Sequence, residues 1–249
     1  MKKIQSTCNL CALACNVDFY VENGKIAKVS PTVDYPVNKG FCCIKGLNLD
    51  KQQTKIKARK TPLLKDENGN MKEISWEEGF KTFAKKMTSI QEKYGKESVA
   101  FISTGQMPTE DMALLGHVGR NYMGINGDGN TRLCMATSVV AHKQSFGFDA
   151  PPYTLNDAEL SDTIILIGAN PVIAHPVFWG RIRENKEAKI ITIDPRKSET
   201  AMNSDIWIDI KPKADLVLMY TLANVLIEKG YIDVNYIENH TEGYEDFKN

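Results

Sequence analysis

Five of the six cysteines in this chain fall between residues 8 and 43, and that crowding constrains the fold more than any other feature. They read Cys8-Asn-Leu-Cys11-Ala-Leu-Ala-Cys15 and then, after a gap, Gly40-Phe41-Cys42-Cys43-Ile44-Lys45-Gly46. Thiolates are soft ligands that suit iron–sulfur clusters and zinc. A tight Cys-x2-Cys-x3-Cys turn with one distant cysteine lets four sulfurs surround a compact cluster. Structural zinc sites instead pair two short hooks, the second often built from histidines. Here the first hook holds three cysteines, the second an adjacent pair, and no histidine precedes His117. The spacing favours a [4Fe-4S] cluster over zinc. Disulfides rank third, because nothing marks the chain as secreted.

The 249 residues, 42% of them hydrophobic, can bury a sizeable core in one large or two modest domains. Basic and acidic residues balance at 31 each, so net charge points to neither nucleic acid nor membrane. Locally the balance fails: Lys39 to Lys60 holds seven basic residues and one acid, Asp50. That run reads as a solvated face or as a basic collar near an anionic cofactor. No apolar run precedes Cys8, no twin-arginine pair is present, and no segment approaches a membrane span. The expectation is a soluble, cytoplasmic protein.

Asn23-Gly24 between two short apolar runs, 17–22 and 25–29, predicts a hairpin that separates the cysteine hooks and folds them together. Residues 51–60 read as a charged connector. Ser75-Trp-Glu-Glu78 is a capping box, and Trp76, Phe80, Phe83, Ala84, Met87, Ile90 and Tyr94 behind it form one helical stripe suited to core packing. A buried strand is expected over 99–103, then a helix capped by Thr109 and running to Met123, then a break at Asn126-Gly-Asp-Gly129. Beyond a helix over 135–146, strands are expected at 163–167, 189–193 and 206–210, with helices at 177–184 and, capped by Asp215, to Lys229. Such alternation predicts a parallel sheet with helices on both faces, where ligands sit outside the carboxyl ends of the strands. The loops there, Gly105-Gln106, Gly168–Pro171 and Asp194–Arg196, mix small residues with polar ones. Together they suggest a nucleotide-like ligand, although no G-x-G-x-x-G marks an ordinary NAD site.

The sixth cysteine, Cys134, lies in Asn130-Thr-Arg-Leu-Cys134-Met135, where a loop enters a helix. A helix N-terminus favours the thiolate. The residues alone leave nucleophile, metal ligand and inert filler open.

In order along the chain, the three-cysteine hook, Gly40-x-x-Cys43-x-Lys45-Gly46, Ile74-Ser-Trp-Glu-Glu78, Asn130–Met135, Gly168-Ala169-Asn170, Asp194-Pro195-Arg196 and Pro212-Lys213-Ala214-Asp215-Leu216 resemble the molybdopterin oxidoreductases that carry a bis(molybdopterin guanine dinucleotide) cofactor. The resemblance covers the whole chain but the N-terminal third or so of a typical member. It implies three regions: a [4Fe-4S] domain over 1–57, an α/β segment of the first cofactor-binding domain over 58–129, and a Rossmann-like segment of the second over 130–249. It also implies a partner chain or a missing C-terminal part. Asn-Thr-Arg-Leu-Cys-Met with Asp149-Ala-Pro-Pro152 and Ala174-His175-Pro176 looks most like the assimilatory nitrate reductases. Formate dehydrogenases of the family usually have selenocysteine or cysteine followed by histidine, where this chain has Met135.

By this resemblance Cys8, Cys11, Cys15 and Cys43 ligate the cluster, Cys42 is an extra residue, and Lys45 lies between cluster and pterin. Cys134 ligates molybdenum with Met135 beside the reacting metal. Gln106, Asn130, Gly168, Ala169, Asn170, Thr192, Ile193, Asp194, Pro195, Arg196, Lys213, Ala214 and Asp215 contact the cofactor, Asp215 near a guanine. His175 is expected to be structural, and His117, His142 and His240 surface or packing residues. The implied reaction reduces nitrate to nitrite, with electrons from ferredoxin or a NAD(P)H-linked reductase subunit.

Overall fold

A computed structural model describes residues 1–51, 60–129 and 131–249, the side chains of residues 131–133 excepted. Residues 52–59, most of the expected connector, and Asn130, an expected cofactor contact, lie outside the described residues. The chain forms two compact units, Met1–Asp157 and Ala158–Asn249.

The first unit opens with an antiparallel sheet of β1 (Lys2–Thr7), β2 (Asn16–Glu22) and β3 (Lys25–Pro31) in sequence order. Asn23 and Gly24 both adopt positive φ, 49° and 74°, which matches the right-handed twist of a tight hairpin. β1 was not expected from sequence. Its register, from Lys2 opposite Val21 to Thr7 opposite Asn16, closes the first hook, and the Cys8 amide donates to the Cys15 carbonyl at 2.8 Å.

A second hairpin pairs β4 (Leu63–Lys65) with β5 (Met71–Glu73) around Asp66, whose carboxylate accepts from the Asn68 and Asn70 amides. The helix Trp76–Tyr94 follows, and the Ser75 hydroxyl accepts from the Glu78 amide as the capping box requires. Its apolar stripe is not core. No residue of this helix is buried, and Trp76 and Phe80 are 56% and 64% exposed. Its first turns, with Trp76, Phe80 and Phe83, instead wall an apolar cavity of about 550 Å³ with Pro62, Leu64 and Ile74.

β6 (Ala100–Ile102) pairs in parallel with β7 (Asn126–Asp128), so the run expected to break the chain is a strand. β6 is also not the buried strand expected, with Ile102 76% exposed. Gly127 makes the pairing possible: a Cβ there would overlap the Phe101 ring, which occupies the space above it. Between the two strands runs the helix Thr109–His117, extended by a π-helical turn over Val118–Met123 and ended by Gly124 at φ 62°. Pro108, not Thr109, holds its N-cap position, without a capping side chain. The helix Thr131–Phe146 starts earlier than expected and is broken at Met135, at φ −130°, ψ 16°.

The second unit is built on a parallel sheet of β8 (Thr163–Ile167), β9 (Lys189–Ile193) and β10 (Ile206–Ile208), ordered β10-β9-β8. Val177, Ile182, Ile190, Ile193 and Ala201 form its core. Arg181, 2% exposed, is held by the Glu159 carboxylate at 2.6 Å, which meets the requirement that a buried charge be paired. The helix Asp215–Glu228 follows, and Gly230 at φ 68° closes it. Asp215 is its first residue rather than its cap, a position taken by Ala214. No helix among the described residues is long and apolar enough to cross a membrane. The architecture is mixed α/β, an antiparallel cysteine-bearing sheet followed by parallel sheets with helices.

Candidate metal centre and cofactor site

The first hook hangs between β1 and β2, and it turns through Ala14, whose φ of 54° is left-handed. The second hook is drawn to it by Asn38, which is fully buried. Its carbonyl accepts from the Asn16 amide at 2.8 Å, and its amide nitrogen donates to the carbonyls of Phe41 at 2.8 Å and Asn16 at 3.3 Å. Asn38 thus ties the residue after Cys15 to the residue before Cys42. Sequence reasoning missed it, since an asparagine in a polar loop carries no periodic or metal-ligand signal. Beneath it Thr32 donates to the Asp18 carboxylate at 3.0 Å, and Lys3 pairs with the same carboxylate at 2.8 Å.

All six cysteines are free thiols. Cys8 and Cys15 are buried, Cys11, Cys42 and Cys43 half-buried. Burial pushes the Cys15 thiol up to about 12, and the neighbouring thiols of Cys42, Cys11, Cys8 and Cys43 add to the rise. Cys42 is pushed to about 11 by burial and then by Cys43 and Cys8. Burial also raises Cys8, against a lowering contribution from Lys45. Cys8, Cys15 and Cys42, raised by burial and by neighbouring thiols, offer a donor set that a cluster cation would satisfy, since thiolate is the liganding form. Among the described residues no three His, Cys, Asp or Glu side chains converge closely enough to share one metal ion. A [4Fe-4S] cluster asks for wider spacing, because each thiolate binds its own iron corner, whereas zinc draws four ligands around one centre.

Gly46, at the end of the second hook, is buried, and a Cβ on it would overlap the Cys42 sulfur and approach the Cys8 sulfur at 3.6 Å. The sulfur that lies against Gly46 is therefore that of Cys42, with that of Cys8 bordering the same space. Cys43 stands in extended backbone as the N-cap of the short helix Ile44–Leu47, with no capping bond from its side chain. Lys45 is half-buried within that helix.

Next to the first hook lies a cavity of about 500 Å³, lined by Cys8, Cys11, Ala14, Gln106, Met107 and Thr109 among others. The Gln106 side-chain amide donates to the Leu10 carbonyl at 3.1 Å, so the loop after β6 is tied to the cysteine hook. Cys134 and Met135 are both exposed where the helix from Thr131 breaks.

In the second unit the expected cofactor residues gather along one edge, because β8, β9 and β10 run parallel. Gly168 leaves β8 at φ 57°, a conformation open to glycine, and its amide donates to the Ile193 carbonyl at 2.9 Å. Ala169 is half-buried beside it. Asn170 bonds from both ends of its amide, to the Glu199 carboxylate at 2.8 Å and from the Thr200 hydroxyl at 2.7 Å. The backbone N–H of Arg196 donates to the Asp194 carboxylate at 2.8 Å, so the loop over Pro195 turns back on itself and leaves the Arg196 side chain exposed. Thr192 and Ile193 are buried in the sheet, Thr192 with its hydroxyl against Ser204 at 2.6 Å. Lys213 follows β10 in the left-handed region, at φ 71°, ahead of Ala214 and Asp215.

Residues 1–55 match the molybdopterin oxidoreductase Fe4S4 domain and residues 59–240 the molybdopterin oxidoreductase domain. The chain belongs to the molybdopterin oxidoreductase family. Among family members it is 33% identical over 242 residues to a nitrate reductase of Symbiobacterium thermophilum, covering 95% of this chain and 32% of that protein. It is 34% identical over 251 residues to an F420-dependent formate dehydrogenase subunit alpha of Methanocaldococcus jannaschii, covering 99% and 36%. The chain thus spans about a third of the length of the curated relatives it matches. The fold is shared with acetylene hydratase from Pelobacter acetylenicus, at a TM-score of 0.79 and 24% identity, over 99% of this chain and 34% of that one.

Proposed function

We propose that this protein serves a molybdenum- and iron–sulfur-dependent reductase that converts nitrate to nitrite. The supporting observation is the exposed Cys134-Met135 pair at the helix break, with methionine where formate dehydrogenases of the family usually carry histidine. Cys8, Cys11, Cys15 and Cys43 would hold the cluster, and Cys134 would donate a thiolate to molybdenum. Bound there, the metal would supply the oxygen-accepting, two-electron chemistry that side chains lack.

The chain's own residues do the rest of the work in this reading. Gln106 fixes the loop beside the first hook. Lys45 places a cation between cluster and pterin, where it favours reduced, more negative states of both. Gly168, Ala169 and Asn170 offer a close backbone approach to a phosphate, and Arg196 an exposed guanidinium to pair with it. In the second unit Thr192–Pro195, Lys213 and Ala214 would contact the same cofactor, and Asp215 a guanine. Nitrate is the substrate, and ferredoxin or a NAD(P)H-linked reductase subunit the electron donor.

The test is an anaerobic assay with reduced viologen on the longest native form of the protein. Nitrite production that Cys134→Ser abolishes is the expected outcome. The formate dehydrogenase relatives supply the competing reading, and oxidation of formate without reduction of nitrate would establish it instead.

A further inference from the structure

We propose that Cys42 is a working cluster thiol that exchanges with Cys43 at the fourth ligand position. The inference rests on the cluster reading above and deepens it. Cys42 and Cys43 are adjacent, and the backbone at Cys43 is extended, at φ −76° and ψ 166°. Asn38 anchors the Phe41 carbonyl directly before the pair, and the helix Ile44–Leu47 anchors the chain directly after it. With the chain fixed on either side of the pair, the exchange requires side-chain rotation at the two cysteines.

Gly46 shows which space Cys42 uses. A Cβ on residue 46 would overlap the Cys42 sulfur and come within 3.6 Å of the Cys8 sulfur. The missing side chain leaves a slot that the Cys42 sulfur enters and that the Cys8 sulfur borders. An inert packing cysteine has no need of a slot shared with a cluster ligand. The exchange is balanced and redox-neutral: the iron–sulfur bond to Cys43 breaks, one to Cys42 forms, and the proton released by Cys42 is taken up by Cys43.

The experiment compares the anaerobically purified full chain with its Cys42→Ser, Cys43→Ser and doubly substituted forms, by iron content and electron paramagnetic resonance after reduction. The native chain and both single variants should retain a full cluster's iron, Cys43→Ser with shifted g-values, while the double variant loses iron. Loss from Cys43→Ser equal to that of the double variant, or loss from Cys42→Ser, overturns the exchange. If the native chain itself binds no iron, it is the cluster reading that fails. A second measurement avoids variants altogether: iodoacetamide labelling of the cluster-loaded native chain, read by peptide mass spectrometry. Exchange places label on Cys42 in some molecules and on Cys43 in others. Label confined to one of the two cysteines overturns it.

Discussion

Asn38 shows how much one side chain can carry. It is fully buried, and its bonds to Asn16 and Phe41 join the two cysteine hooks. Removing it leaves the part-buried Asn16 amide and Phe41 carbonyl without this partner, and an unmade bond costs more than the bond itself contributed. Asn38→Ala is expected to destabilise the protein by about 3 kcal/mol in denaturant melts and to lower retained iron. Asn38→Asp should do little better, because it keeps the acceptor for Asn16 and loses the donor for Phe41. Unchanged iron retention in both variants would remove Asn38 from the positioning of the cluster. Asp18 sits in the same layer, with its carboxyl held below the usual range: burial works against ionisation, but bonds from Lys3 and Thr32 outweigh it. A depressed carboxyl binds fewer protons folded than unfolded, so its contribution is present above about pH 4 and is lost as pH falls through the folded value. Lys3 is raised by the same pair, so the contribution persists until pH exceeds the ordinary lysine range. Melting temperature should therefore fall below about pH 4, and Asp18→Asn should flatten that fall. A parallel fall in Asp18→Asn would assign the acid sensitivity to other groups.

At the scale of elements, what the sequence made legible was set by neighbouring residues. The Asn23-Gly24 turn, the Ser75 cap and the strands at 163–167 and 189–193 follow from local backbone chemistry and short-range pattern. The failures involve distant partners. β1 has no pattern of its own and exists because β2 pairs with it. β7 reads as a glycine-rich break because its stabilising contact is made by Phe101, a residue far away in sequence. The stripe of the helix Trp76–Tyr94 has the right period for a core, but period reports a face and not what covers it. In the cysteine cradle the spacing was plain, whereas the side on which Cys42 lies depended on Gly46. The β6–β7 pair offers a direct test. Gly127→Ala places a methyl group inside the Phe101 ring position and should destabilise the first unit by about 2 kcal/mol. Combining it with Phe101→Leu returns space, so the double variant should be more stable than the two separate costs predict. Strict additivity in thermal melts would show that the ring does not occupy that space.

Over the whole molecule, large apolar side chains stay exposed on helices from both units. Phe80 and Phe83 are 64% and 55% exposed, and Leu216, Val217 and Tyr220 are 66%, 68% and 58% exposed. Exposed apolar faces of this kind mark interaction surfaces, and the curated relatives are about three times as long as the stretch they share with this chain. The two expected cofactors differ in how they depend on such coverage. Every expected cluster ligand lies between residues 8 and 43, in two hooks beside a sheet with its own hairpin and its own buried polar layer, so one short stretch builds the cluster site. The expected molybdenum cofactor contacts are dispersed from Lys45 to Asp215 over both units. Such a large ligand needs a closed, water-excluding site, not a row of exposed loops. Expressed by itself under anaerobic conditions, the 249-residue chain should bind iron stoichiometrically and molybdenum far below one per chain, as read by elemental analysis. It should also bind a hydrophobic dye while its circular dichroism shows folded secondary structure. Stoichiometric molybdenum on the isolated chain would mean that these loops suffice to hold the cofactor, and that the exposed helices play no part in closing its site.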